Sequence, residues 1–174
     1  MDEPDATNQE SDFFERIVFV KDINAEQVEF GPGLAGRINA TNDVKMHQSG
    51  AFAVAAGQDA EVSFGGAVVI AVGRDLKQET GGGMVYAVGR DMRMTDSVAG
   101  ISNVGGRLEM KDSLSMLSLS NSSRIEQSMI GVLFTNSADL GENNHVLLST
   151  PQAAAFGAAF GLVFALLSWL FRKR

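Results

Sequence analysis

The feature that most constrains the fold is an internal repeat. Ala-Val-Gly-Arg-Asp occupies residues 71–75 and returns at 87–91, sixteen residues later. The same step relates 55–60 (AAGQDA), 71–76 (AVGRDL), 87–92 (AVGRDM) and 103–108 (NVGGRL), with 39–44 (NATNDV) and 23–28 (INAEQV) one and two steps upstream. Downstream the phase slips by one, and NSSRI (121–125) and NSADL (136–140) continue it. Aligned this way, apolar residues recur in columns. One is Val28, Val44, Ala60, Leu76, Met92 and Leu108, continued by Ile125 and Leu140. A second is Phe30, Met46, Val62, Gln78, Met94 and Met110, and a third Ala53, Val69, Val85, Ile101 and Leu117.

A sixteen-residue unit is too short for a pair of helices. It suits one rung of a β-solenoid, with two short alternating runs per rung, each rung hydrogen-bonded to the next. About eight rungs at about 4.8 Å make a rod of roughly 35–40 Å. A turn column of Gly57, Gly73, Gly89 and Gly105, then Asn121 and Asn136, is expected where the chain needs positive φ. Proline is absent from Gly33 to Thr150, as a ladder that donates at every rung requires. Two other all-β folds compete. A left-handed helix with a strict six-residue step would need about 18 residues per rung. A β-sandwich leaves the in-register repetition of AVGRD without a cause.

Positions alternating with the apolar columns are themselves apolar between residues 50 and 88. Phe52, Val68 and Met84 (with Met116) share one such column, and Val54, Ile70 and Tyr86 another. These six are candidates for a lateral interface covered by a second copy, another protein or the segment 13–20 (FFERIVFV). A wider interior that takes in both columns is the alternative. Asp43, Asp59, Asp75 and Asp91 also stack, flanked by Arg74 and Arg90. Carboxylates at turns usually bond backbone N–H groups, and the adjacent arginines neutralise the column, so no metal site is expected.

The C-terminal end is of another kind. Residues 153–171 (AAAFGAAFGLVFALLSWLF) are nineteen residues without a charge, followed by Arg172, Lys173 and Arg174. A helix of about 20 residues spans about 30 Å, the hydrocarbon thickness of a bilayer. Thr150 and Pro151 fit its N-cap and first turn, and Trp169 fits the aromatic belt at the interface. The expectation is one transmembrane helix over 150–171; a buried helix of a soluble domain is the alternative. Ala153, Gly157, Gly161 and Ala165 share one face of that helix, at the spacing that lets two helices approach closely in lipid.

Composition narrows the function. The net charge is −7, and residues 1–35 account for it with nine acids and two bases. Residues 1–12 (MDEPDATNQESD) read as a disordered acidic tail, and no apolar run follows a basic N-terminus, so no cleavable signal is expected. A chain without a basic surface is a poor nucleic-acid binder. No Cys and two His (His47 and His145) leave little for nucleophilic, general-base or zinc chemistry. Gly81–Gly83 precedes no Gly-Lys-Ser/Thr, and neither a Gly-x-Ser-x-Gly elbow nor a His-Glu-x-x-His motif occurs. No cofactor, no small-molecule substrate and no enzymatic activity are expected.

The Gly-punctuated rungs AVGRDL, AVGRDM and NVGGRL, in a single small solenoid spanning roughly residues 22–149 behind a disordered tail, resemble the bactofilins, bacterial polymer-forming cytoskeletal proteins. The resemblance implies filaments or sheets built by stacking open solenoid ends, and a scaffold role at the membrane. The chain departs from that pattern in its shorter step and in its C-terminal membrane segment. A span directly after the last rung tethers one end of the stack and favours side-by-side assembly or a closed ring.

The expected organisation is therefore an acidic tail (1–12), a β-solenoid (13–149), a transmembrane helix (150–171) and a basic end (172–174). The expected role is a membrane-anchored scaffold that self-associates through solenoid surfaces and the helix face; the alternative is a spacer subunit of a larger membrane complex, docking on foreign helices. The three terminal bases alone would place the C-terminus in the cytoplasm. A late C-terminal span, inserted after the solenoid has folded, places the solenoid there instead, at the inner membrane of a bacterium. The latter is the preferred expectation.

Overall fold

The structure is a computed structural model that describes residues 18–148. It is a single parallel β-solenoid of eleven strands: β1 (Val18–Ala25), β2 (Val28–Phe30), β3 (Gly33–Ala40), β4 (Val44–His47), β5 (Ser49–Ala56), β6 (Ala60–Val72), β7 (Leu76–Val88), β8 (Met92–Lys111), β9 (Leu114–Glu126), β10 (Met129–Leu140) and β11 (His145–Leu148). Every pairing is parallel, between equivalent positions of successive turns of about sixteen residues. Among the described residues no helix is long and apolar enough to cross a membrane. The expected tail 1–12, the helix 150–171 with Ala153, Gly157, Gly161 and Ala165, and Trp169, Arg172, Lys173 and Arg174 lie outside them.

Each turn has three sides, not two. In the turn from Met92 to Arg107 the buried residues are Met92 and Met94, Ser97 and Ala99, and Ser102 and Val104. Alternation holds within each pair and breaks between pairs, because the chain turns a corner there and two successive side chains point outward. The parity resets at two of the three corners, between Met94 and Ser97 and between Ala99 and Ser102, so a single alternating frame cannot be carried through the turn.

The corners use different chemistry. The first carries a positive φ at Gln48, Phe64, Thr80, Asp96, Asp112, Gln127 and Asn143, all between 47° and 57°, and no glycine has a positive φ. The expectation that Gly57, Gly73, Gly89 and Gly105 supply left-handed backbone is therefore corrected. A Cβ at Gly57 would fall inside contact distance of the Thr41 carbonyl, at Gly73 of the Gly57 carbonyl, and at Gly89 of the Gly73 carbonyl. Those glycines serve close approach of stacked backbones. Asn121 and Asn136 prolong the column with a side-chain bond, Asn136 Nδ2 donating to Asn121 Oδ1 at 3.0 Å.

The one-residue slip lies between Val104 and Arg107: Val104 pairs with Ser120, sixteen on, and Arg107 with Ser122, fifteen on. Leu108 accordingly stacks on Ser123 and then Ala138, while Ile125 and Leu140 continue the column of Met110. The sequence alignment had put Ile125 and Leu140 above Leu108. The core also changes character along the rod. Its N-terminal half is mainly apolar, with Ser49 and Gln78 as buried polar residues, and its C-terminal half takes in Ser102, Ser115, Ser118 and Ser123, with Ser102 Oγ bonded to Ser118 Oγ at 2.9 Å and Ser118 Oγ to Ser115 Oγ at 2.8 Å.

Candidate interaction surface

Charge is confined to one side of the rod. All eighteen charged residues between Asn42 and Asn136 fall in the stretches 42–48, 58–64, 74–80, 90–96, 106–112 and 122–127. The intervening stretches 49–57, 65–73, 81–89, 97–105, 113–121 and 128–136 hold none. Because the turns stack in register, those six stretches superpose, and two of the three sides are free of charge from β5 to β10.

The charged side neutralises itself. Lys45, Glu61, Lys77 and Arg93 stack directly; Lys77 pairs with Glu61 at 3.1 Å and Glu79 at 2.9 Å, and Arg93 with Glu109 at 2.6 Å. Beside them runs the Asp column. The backbone N–H of Asp59, Asp75 and Asp91 donates to the carboxylate of Asp43, Asp59 and Asp75 at 3.1–3.2 Å, and Arg107 N–H to Asp91 at 2.8 Å. Arg74 clasps Asp59 through Nε and Nη2, and Arg90 clasps Asp75 in the same way. The hydrogen bond from Arg90 is the main cause of the lowered pKa of Asp75, and Glu79 and Glu61 raise that of Lys77. A groove of about 530 Å³ runs between the Asp column and the column of Lys45, Glu61, Lys77 and Arg93, and the carboxylates of Asp59, Asp75 and Glu61 that line it are paired within the rod. Among the described residues no group of three or more His, Cys, Asp or Glu is arranged to hold a metal ion.

The two charge-free sides are apolar. Phe52, Val68 and Met84 point outward, Phe52 and Met84 about two-thirds exposed, and Met116 joins them. Val54, Ile70 and Tyr86 do not: they are at most 2 % exposed and belong to the core. They leave the interface candidates because the chain turns between Phe52 and Ala53, and Val54 is the first inward position of the next side. By the same token Val69, Val85 and Ile101, aligned from sequence as a third apolar column, are outward and 37–44 % exposed. The wider interior is thus half realised: one of the two alternate columns points in and the other out.

A second outward column was not singled out from sequence: Leu34, Gly50, Gly66, Gly82, Val98, Leu114, Met129 and His145, each paired with the next. Its glycines form the floor of a shallow apolar groove of about 540 Å³ with Phe52, Val68 and Met84 along one wall. The signal that could have found it is the absence of charge from every ninefold stretch, visible once the turns are aligned. Comparison of the chain with protein-family models, with curated proteins and with solved structures returns no match.

Proposed function

We propose that the chain is a non-enzymatic structural protein, a β-solenoid that self-associates through its charge-free sides and is held on a membrane by the run 153–171. The observation that carries the reading is the confinement of charge to one side of the rod. Two uncharged sides bearing Phe52, Val69, Met84, Val85 and Ile101 in the open make a contiguous apolar surface of the kind that marks an interface. On the charged side Arg74, Lys77, Arg90 and Arg93 are engaged by carboxylates of the rod itself. The rung style that resembles the bactofilins points to the same class, a polymer-forming scaffold. The nineteen uncharged residues before Arg172 supply a membrane tether, with the solenoid on the cytoplasmic face of a bacterial inner membrane.

Sedimentation of the full chain in mild detergent tests the reading. The expected result is one homo-oligomeric mass, reduced to monomer by Val98→Glu, which places a charge on an exposed apolar position without touching the core. A monomer at micromolar concentration overturns self-association. A mixed mass after extraction from the native membrane assigns the chain to a hetero-oligomeric complex as a spacer subunit instead.

A further inference from the structure

We infer that two copies of the chain pack antiparallel, through the side bearing the glycine groove, as a two-fold symmetric pair. The inference rests on the self-association proposed above and names its surface and geometry.

The argument is one of shape. In the column from Leu34 to His145 the N-terminal half offers Gly50, Gly66 and Gly82, and the C-terminal half offers Val98, Leu114 and Met129, which are 54, 40 and 46 % exposed. A two-fold axis across the rod between Gly82 and Val98 sets each groove against the partner copy's ridge. Gly82 then meets Val98, Gly66 meets Leu114, and Gly50 meets Met129. The neighbouring outward column is complementary in the opposite sense. There Met84 meets Gly100 and Phe52 meets Gly131, a knob against a residue without a side chain, while between them Val68 meets Met116, apolar against apolar. Parallel pairing on this side would set glycine against glycine at one end and methionine against methionine at the other.

A second copy is also the occupant that charge favours over a lipid surface. The described residues carry fifteen acids and ten bases, which opposes attraction to anionic lipid headgroups. The face is about 12 Å wide and about 38 Å tall at the usual residue and rung spacings. That is about 450 Å² of flat surface per copy, or about 900 Å² in all, against about 1,200–2,000 Å² for a stable specific interface. Interdigitation adds to the flat figure, and tethering both copies in one bilayer raises their effective concentration. Antiparallel packing sends the two C-termini out of opposite ends, so a pair held in one bilayer lies along it.

The test uses the lack of native cysteine. Leu34 and His145 are exposed and sit at opposite ends of the groove column; the two-fold sets Leu34 against the partner copy's His145. Full-length Leu34→Cys and His145→Cys chains, reconstituted together in liposomes and treated with a short bismaleimide, are expected to give covalent dimers, while either variant alone stays at background. Leu114→Glu, on the exposed ridge, is expected to abolish the cross-link. Cross-linking of Leu34→Cys with itself overturns the antiparallel geometry. An absent cross-link in chains that still sediment as oligomers overturns this surface and leaves self-association standing. An absent cross-link in chains that sediment as monomers removes both.

Discussion

The first corner of each turn is strained at the level of single residues, and glycine does not relieve it. Seven residues with side chains, among them Phe64 and the β-branched Thr80, hold φ near 50°. A left-handed L-residue costs about 1–2 kcal/mol, and the corner is held by its neighbours: Ser97, Ser113 and Ser128 each donate Oγ–H to the carbonyl two residues back at 2.7 Å. Each also donates its N–H to the next turn, to Ser113 Oγ, Ser128 Oγ and Asn144 Oδ1. Thr80→Gly is therefore expected to stabilise the solenoid by about 0.5 kcal/mol, the relief exceeding the about 0.5–1 kcal/mol entropic cost of glycine, as a rise in the urea midpoint. Gly73→Ala acts in the opposite direction by about 1–3 kcal/mol, because its methyl must displace the Gly57 carbonyl in the turn before. Composition points to the wrong column here, since glycine marks the close approach, and of the seven left-handed residues only Asp96, Asp112 and Asn143 are of types that favour that region. The Asp column was legible in role. Its pH consequence follows from the lowered pKa of Asp75: the contribution of that carboxylate is complete above its ordinary value of 3.8 and is lost as pH falls below it. Asp75→Asn should flatten the acid limb of a stability-against-pH curve and leave its neutral region sloped as before.

At the scale of the rung, the turns stack because their interiors match in volume from one to the next. The turn from Leu76 to Asp91 holds the largest buried side chain, Tyr86, and makes room for it with glycine at 83, where a Cβ would lie 2.9 Å from the phenol oxygen and 2.5 Å from the Ala67 carbonyl oxygen. Equivalent positions one turn either way are Ala67 and Ala99. The Tyr86 hydroxyl is buried with no hydrogen-bond partner, and burial pushes its pKa up. Tyr86→Phe is expected to raise stability by about 1 kcal/mol, since it removes an unsatisfied polar group and no contact. Thermal unfolding measures it, and a loss of stability would mean that the hydroxyl is satisfied in solution. Leu108→Ala, at a fully buried site, should instead cost about 2–5 kcal/mol. The columns of Leu76 and Gln78 were readable in the repeat as far as Leu108 and Met110, from their fixed spacing to Asp75, and were misassigned beyond the one-residue slip, where Ile125 and Leu140 continue the Gln78 column. The third column was not, because periodicity of two carries the eye across a corner at which the chain resets it.

For the whole molecule, the repeat does two things at once: it builds a rod, and it copies each residue's position around the rod eight times, so that a small bias in composition becomes a face. The stack of parallel rungs was legible from the sixteen-residue step of AVGRD and the columns aligned on it. Which sides of the rod are free was not, because that needs the position of three corners, and the apolar windows hide them. The resulting separation predicts how assembly responds to salt. Contacts through the ion-paired side would weaken as the Debye length shortens from about 10 Å at about 0.1 M to about 3 Å at about 1 M salt. Contacts through the sides bearing Met84, Val98 and Leu114 have no charge to screen, and salts excluded from apolar surface strengthen burial. The sedimentation coefficient of the full chain in a non-ionic detergent is therefore expected to hold or rise between those salt concentrations. A fall to the monomer value would transfer the interface to the charged side, to the column of Lys45, Glu61, Lys77 and Arg93, whose mixed signs can pair between copies when their intrachain partners are given up.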